Sequence, residues 1–562
     1  MNPYKYLITF FFFAINTFAQ SNAGLQSLAA DFFQWRIVTQ PSTEDDILRV
    51  ERPDGWVPDF SPEILEKNKQ KYIEYSNQLK NISRDNWSRS DSIDYLLMHS
   101  AIERVNWELN ILRSPYRNPD FYVHQTVGSV YELLLIHSPM TDQRMNNIIL
   151  RLQSIPQTVE YAKQNLSEAV EPFAAVALEN LSEIRARLYK MRNGLLLISD
   201  RNFEDELNKA VEQAAESLEN YKEWIEQNIS RMSKDFSLGR EDYVYFLRNI
   251  ALMTYSPEEL LLMGKSEWNR SVSFELFERE RNTGLPELKI FSSAEEQITQ
   301  ERIYEEEIRK FLVDKNLMSV PEWVQHYINK KVPSHIEPFT NMGVVDDLTS
   351  ETRLNEDGVS YIPEPSESMS YFRLATAKDP RPIIIHEGVP GHYFQMVLSW
   401  ANPNPIRRRF FDSGSNEGIG FYVEELLLQY GLFNDSPRTR EIIYSFMRLR
   451  ALRVDVDINL ALDNYTIEDA GEYLSSTVPM DLTTGIDEAR FFAYNPGQAI
   501  TYQIGKLQIL NLIADAKILL GDEFDLKDYH DYMMRNGNVP IALQRWEYLG
   551  LKDEIEKLWP QN

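Results

Sequence analysis

His386, Glu387 and His392 are the residues of this 562-residue chain whose types and spacing could do hydrolytic chemistry. They lie in the run Ile383-Ile384-Ile385-His386-Glu387-Gly388-Val389-Pro390-Gly391-His392. Two imidazoles can hold a divalent metal, and a carboxylate beside one of them can activate the metal's water. In His-Glu-x-x-His the histidines are four apart, about 40° out of line on a helix that turns roughly 100° per residue. Here they are six apart (392 − 386), about 120° by the shorter way round. A regular helix cannot aim both at one ion. Pro390 breaks the hydrogen-bond ladder, and Gly388 and Gly391 accept dihedrals that other residues resist. A bulge of two extra residues is expected to bring His392 back beneath His386, a kind of distortion that gathers at functional sites. The same residues also read as a chance His-Glu pair followed by an ordinary turn, so a third ligand has to be found.

Glu417 lies 25 residues past His392 (417 − 392) and is expected to open the next helix. A glutamate there would complete a two-His, one-Glu zinc set. Gly418 and Gly420 beside it let other backbone come close. Glu424 and Glu425 are rival ligands. They read more readily as solvated helix charges, or in one case as the partner of a ligand imidazole.

The elements that must position these residues are mostly helical. Apolar spacing predicts helices over 25–35, 61–112 with a turn near Asn81-Ile82-Ser83, and 141–232. Pro156 and Pro172 are expected to divide the last stretch. Ser256-Pro257-Glu258-Glu259 reads as a capped helix start, and further helices are predicted over 294–315, 417–430, 436–462 and 499–520. Between 332 and 379, Pro, Gly, Asn and Asp recur, with short extended pieces at 335–339 and 358–362. They predict loops with one or two strands just before the His-Glu run, where a strand edge could hold substrate backbone. The fold expected is a large, mostly α multi-helix fold with a small β element near the cleft. Its regions are a signal peptide (1–19), a helical amino-terminal region (20–280) and a metal-binding region (281–562). The last two could also form one continuous unit.

Composition limits the function. The net charge of −27 repels phosphate backbones, which argues against nucleic-acid binding. Lys5, the apolar stretch 7–15 and Thr17-Phe18-Ala19 read as an export signal cleaved after Ala19, too short to span a membrane. No later stretch has the length of a transmembrane helix. The absence of cysteine rules out disulfides, thiolate ligands and a lipid-bearing cysteine. A bacterial periplasmic or extracellular location is expected.

Five ordered motifs carry a resemblance. They are His386 to His392, Glu417-Gly418-Ile419-Gly420-Phe421-Tyr422-Val423-Glu424, and Arg450 with Arg453 and Asp457. Pro496-Gly497-Gln498-Ala499-Ile500-Thr501-Tyr502-Gln503-Ile504-Gly505 and Tyr529-His530-Asp531 follow. Over about residues 370–550 the chain resembles the bacterial family known as domain of unknown function 885. The resemblance implies a site similar to gluzincin-type metallopeptidases, with His386, His392 and Glu417 on one zinc ion and Glu387 as general base. Val389, Ile419 and Ala461 depart from the family pattern, which bears on substrate preference more than on metal binding. Tyr502, on a helix that Pro496 and Gly497 precede, is the expected oxyanion donor. Gln498, Tyr422 and His530 are weaker candidates for substrate contacts. Arg453 and Asp457, four apart on one helix face, are expected to form a structural ion pair. The function expected is an exported zinc-dependent peptidase. The alternatives are a metal-dependent hydrolase of other amides and a helical binding protein with a decayed site.

Overall fold

The computed structural model describes residues 22–42, 50–199 and 202–559; the expected signal segment lies outside them. The fold is mostly α, with three short strands among the described residues. Among the described residues, no helix is long and apolar enough to cross a membrane.

Helix starts follow local chemistry. Ser256 caps Pro257–Arg281 through a capping box with Glu259, and Asp412 caps Ser413–Gln429. Glu417 therefore sits in the second turn of its helix rather than opening it. Pro156 does not divide the predicted 141–232 stretch. The helix Asp142–Asn165 runs through it, because burying Ile148, Leu152, Ile155 and Val159 outweighs the ~3 kcal/mol cost of an interior proline. Pro172 instead falls in the first turn of Glu171–Asn180.

The small sheet has the order β1-β3-β2, with β1 Tyr327–Lys331, β2 Asp346–Asp347 and β3 Gly358–Ile362. β1 runs parallel to β3, and β2 runs antiparallel to it. Segment 358–362 is a strand as expected. Segment 335–339 is not: it forms a turn and a short 3-10 helix, Glu337–Phe339. Pro338 denies the segment a ladder donor, and Pro333 lies just ahead of it.

One apolar cluster joins Leu25, Phe32 and Leu218 to Phe339, Val359, Ile406 and Leu543, so packing is continuous across residue 280. The ligand-bearing elements rest on a second cluster that includes Ile385, Val389, Phe394, Ile419 and Phe421. Ser413–Gln429 packs closely along Ile500–Leu520. A Cβ at Gly505 would fall 2.1 Å from the Gly414 carbonyl oxygen, and one at Gly418 would fall 2.7 Å from Gly505. Small residues set that separation.

Behind the ligand helix lies a buried charge tetrad. Lys506, with no exposed surface, reaches Glu425 at 2.9 Å and Glu267 at 3.3 Å. Arg270 pairs with both at 2.8 Å. Glu425 is thus a buried structural carboxylate, not a solvated charge. Burial would raise its pKa, but Lys506 and Arg270 hold it down at about 2. Lys506→Met should cost about 3–5 kcal/mol of unfolding free energy in urea titrations, because it leaves two buried carboxylates with one cation. A loss under about 1 kcal/mol would show that the buried pairs are not needed for stability.

Candidate metal centre

The predicted bulge is a fuller interruption. Ile384–Gly388 forms a π-helical turn, closed by the Val389 N–H donating to the Ile384 carbonyl at 3.0 Å. Val389 is extended, the Val389–Pro390 peptide is cis, and a new helix begins at His392, which runs to Trp400. The two imidazoles therefore come from the end of one element and the start of the next, with ring centroids 4.7 Å apart. Gly391 is required for the turn, since a Cβ there would lie 1.8 Å from the His386 carbonyl oxygen.

Glu417 completes the cluster. Its Oε2 lies 3.1 Å from His386 Nε2 and 3.3 Å from His392 Nε2. A tetrahedral zinc with bonds of about 2.0–2.2 Å needs neighbouring donor atoms about 3.3–3.5 Å apart. The observed separations fit within a few tenths of an ångström. Glu387 is the competing carboxylate. Donor atoms of His386, Glu387 and His392 lie within 4.8 Å of one another, yet Glu387 Oε2 is 3.9 Å from His392 Nε2 and its side chain is more open. Glu417 has the ligand distances, and Glu387 stands about one water layer back.

Glu424 braces the cluster. Its Oε1 lies 2.7 Å from His386 Nδ1, which places a proton on Nδ1 and aims Nε2 at Glu417. Arg450 holds Glu424 in turn, at 3.0 and 3.1 Å. Glu424 is buried and paired with the His386 imidazole, so it is not a solvated helix charge. His392 has no such brace: its buried Nδ1 has no hydrogen-bond partner among the described residues. Gly420 supplies the room, as a Cβ there would lie 2.9 Å from His386 Cε1 and 3.0 Å from His392 Cε1.

The imidazoles and carboxylates compensate one another's charge. Burial and the Arg450 guanidinium push the His386 imidazole down, but the Glu417 and Glu424 carboxylates outweigh them and raise it to about 10. Burial pushes the Glu417 carboxyl up, and the two imidazoles bring it well below the usual carboxylate range.

The cluster opens onto a cavity of about 860 Å³ between the two halves of the chain. Tyr502 lines it with His386, Glu387, His392 and Glu417, its ring stacked near His386 at 6.2 Å and under the Arg453 guanidinium at 4.9 Å. Asp346 of β2 also lines it, so one sheet edge adjoins the cavity. The remaining predicted residues are placed elsewhere. Tyr422 is buried and donates to His530 Nε2 at 2.8 Å, while His530 Nδ1 donates to the Leu317 carbonyl at 2.7 Å. That chain closes on itself away from the cavity wall. Gln498 is buried in the turn before Ile500–Leu520 and is not among the lining residues. The expected Arg453–Asp457 pair does not form. Arg453 bonds Glu488 at 3.0 Å. Asp457 accepts from the backbone of Gly497 at 2.9 Å and Ala499 at 2.7 Å, fixing the turn that launches the Tyr502 helix. Arg450 as the support of Glu424 went unforeseen; its only sequence signal was a place in the third motif.

A helical fold around a buried two-histidine, one-carboxylate cluster is the class these features define. The chain belongs to the family described as bacterial proteins of unknown function (DUF885), whose model matches residues 46–546. No curated protein matches it. The fold is similar to a candidate lipoprotein of unknown function from Shewanella oneidensis, at 16% identity and a TM-score of 0.70, covering 95% of this chain and 99% of that one. It is also similar to a candidate lipoprotein from Colwellia psychrerythraea, at 17% identity and a TM-score of 0.72, covering 87% and 91%.

Two outcomes follow from the geometry. Gly420→Ala should weaken zinc binding by about tenfold or more in chelator competition, because its methyl displaces both rings; unchanged affinity would contradict the packing. With a pKa raised to about 10, His386 carries its proton at neutral pH, so a divalent ion at Nε2 would have to displace it. Its raised pKa stabilises the metal-free fold fully below about 6.5, and this contribution is lost as pH rises through about 10. Zinc affinity should therefore increase from pH 6 to 9 with about one proton released per ion, measured by calorimetry in buffers of different ionisation enthalpy.

Proposed function

We propose that this protein is an exported zinc-dependent hydrolase that cleaves peptide bonds in short peptides. The observation that carries the reading is the convergence of the Glu417 carboxylate on both Nε2 atoms at 3.1 and 3.3 Å. His386, His392 and Glu417 would hold the ion. Zinc, when bound, supplies a Lewis acid and a water of lowered pKa.

The chain's own residues do the rest. Glu387 lies beside the cluster with its side chain toward the cavity, where it takes the water's proton and passes it to the leaving amine. Tyr502, on the same cavity wall, donates to the developing oxyanion. Glu424 and Arg450 keep the His386 ring oriented. A cavity of about 860 Å³ is of the size that encloses small ligands, in the range of about 300–1,000 Å³, so short peptides suit it better than folded proteins. The similar folds described as candidate lipoproteins support export, as does the apolar leader in the first nineteen residues.

Metal analysis of the purified protein combined with a peptide-library digest tests this reading. One zinc per chain and peptide cleavage are expected. Glu387→Gln should retain the zinc and lose about 10²–10⁴-fold in turnover. An empty site in fresh protein, or full activity in the Glu387→Gln variant, overturns the proposal; activity confined to small acyl amides moves the substrate class.

A further inference from the structure

Beside the metal cluster, part of the cavity wall is apolar. Phe372, Ile383, Phe491 and Tyr502 line it, and each is partly exposed. Ile383 stands out from its neighbours. Ile384, Ile385, His386 and Gly388 are buried, whereas Ile383 and Glu387, four apart, keep open surface and line the cavity. Side chains so spaced lie about 5–6 Å apart, so Ile383 is within reach of a residue whose peptide bond meets Glu387.

Contacts tie the four side chains into one patch. The Tyr502 ring stands 6.2 Å from the His386 ring. The Arg453 guanidinium lies 4.9 Å over Tyr502 and 5.4 Å over Phe372. The helix Tyr371–Lys378, which carries Phe372, packs on the turn Arg381–Ile383, and the ring of neighbours thus closes at His386. Phe491 adjoins it. The next residue, Phe492, lies 5.4 Å from the same guanidinium, and Phe372 and Phe491 both pack on the apolar cluster that includes Leu449, Leu452 and Phe492.

Both guanidiniums beside the patch are paired. Glu488 bonds Arg453 at 3.0 Å, and Glu424 bonds Arg450 at 3.0 and 3.1 Å. An acidic side chain laid there would lose hydration without gaining a free cation. Apolar surface facing a cavity is stabilised by apolar surface laid against it, in proportion to the area removed from water.

Building on the function proposed above, we infer that Phe372, Ile383, Phe491 and Tyr502 form the subsite for a substrate side chain next to the scissile bond, and that this side chain is large and apolar. Arg453, held by Glu488, spaces the rings that border it.

Calorimetry on the zinc-loaded Glu387→Gln protein reads binding apart from turnover. The probes are end-blocked alanine hexapeptides with one central residue varied among alanine, phenylalanine, glutamate and lysine. The phenylalanine peptide should bind about tenfold or more tighter than the other three. Phe372→Ala should weaken the phenylalanine peptide and not the alanine one. Phe491→Lys should cut the phenylalanine preference about tenfold and favour the glutamate peptide over the alanine one, a reversal that lost stability alone does not produce. Equal affinity for all four peptides, tighter binding of a charged one, or a preference that survives both substitutions together overturns the subsite. Products of the unsubstituted enzyme, read by mass, should carry phenylalanine always on the same side of the cut, and that side names the residue whose side chain the patch holds. Cuts scattered along the peptide overturn the subsite even if neither variant folds. A phenylalanine preference in a protein that cleaves no peptide sustains the apolar site and rejects the peptidase reading; cleavage without the preference does the reverse.

Discussion

A carboxylate buried between two imidazoles is the constraint on which the rest of this structure depends. Glu417 is almost sealed from solvent, and an isolated anion there would be costly enough to lose its charge. His386 and His392 keep it ionised, and the price is that they must share a point in space. That requirement explains the broken helix before His392, the missing side chain at Gly420, and the Glu424–Arg450 brace behind His386. The two rings are held unequally. His386 is fixed by hydrogen bonds, whereas His392 relies on packing and on the turn that Gly391 permits.

Support for the cluster extends into the helix pair 413–429 and 500–520. Their glycines bring the backbones together, and the Lys506 tetrad ties both to the 257–281 helix. The same approach places Tyr502 beside His386. Asp457, through the Gly497 and Ala499 amides, sets where that helix starts. Residues far apart in sequence thus control one another through buried polar contacts, which are expensive to leave unmatched.

The cavity shows how charge is divided in a strongly acidic protein. Arginines and carboxylates alternate on both walls: Arg52, Arg144 and Arg151 line one with Glu51, Asp54 and Glu132, and Arg450 and Arg453 line the other with Glu387 and Glu417. Neither wall is complete alone, because one comes from residues 50–151 and the other largely from residues beyond 380.

Local signals carried much of this. Helical spacing, the Ser256 cap and the 358–362 strand could be read from residue order because they depend on near neighbours, whereas the Asp412 cap, which starts its helix ahead of Glu417, was not anticipated. The pairing of His386 with His392 across a proline and two glycines was readable for the same reason. Where the expectation missed, long-range packing had won: Pro156 stays within a helix whose apolar face is buried, and Tyr422 and His530 satisfy each other. What the sequence by itself determined was the pair of histidines and the broken helix that presents them. Only the tertiary structure decided that Glu417 rather than Glu424 or Glu425 meets both imidazoles, and that Arg453 turns to Glu488 instead of Asp457. Each of those choices is made by burial and charge compensation between segments distant in the chain, which no local pattern encodes.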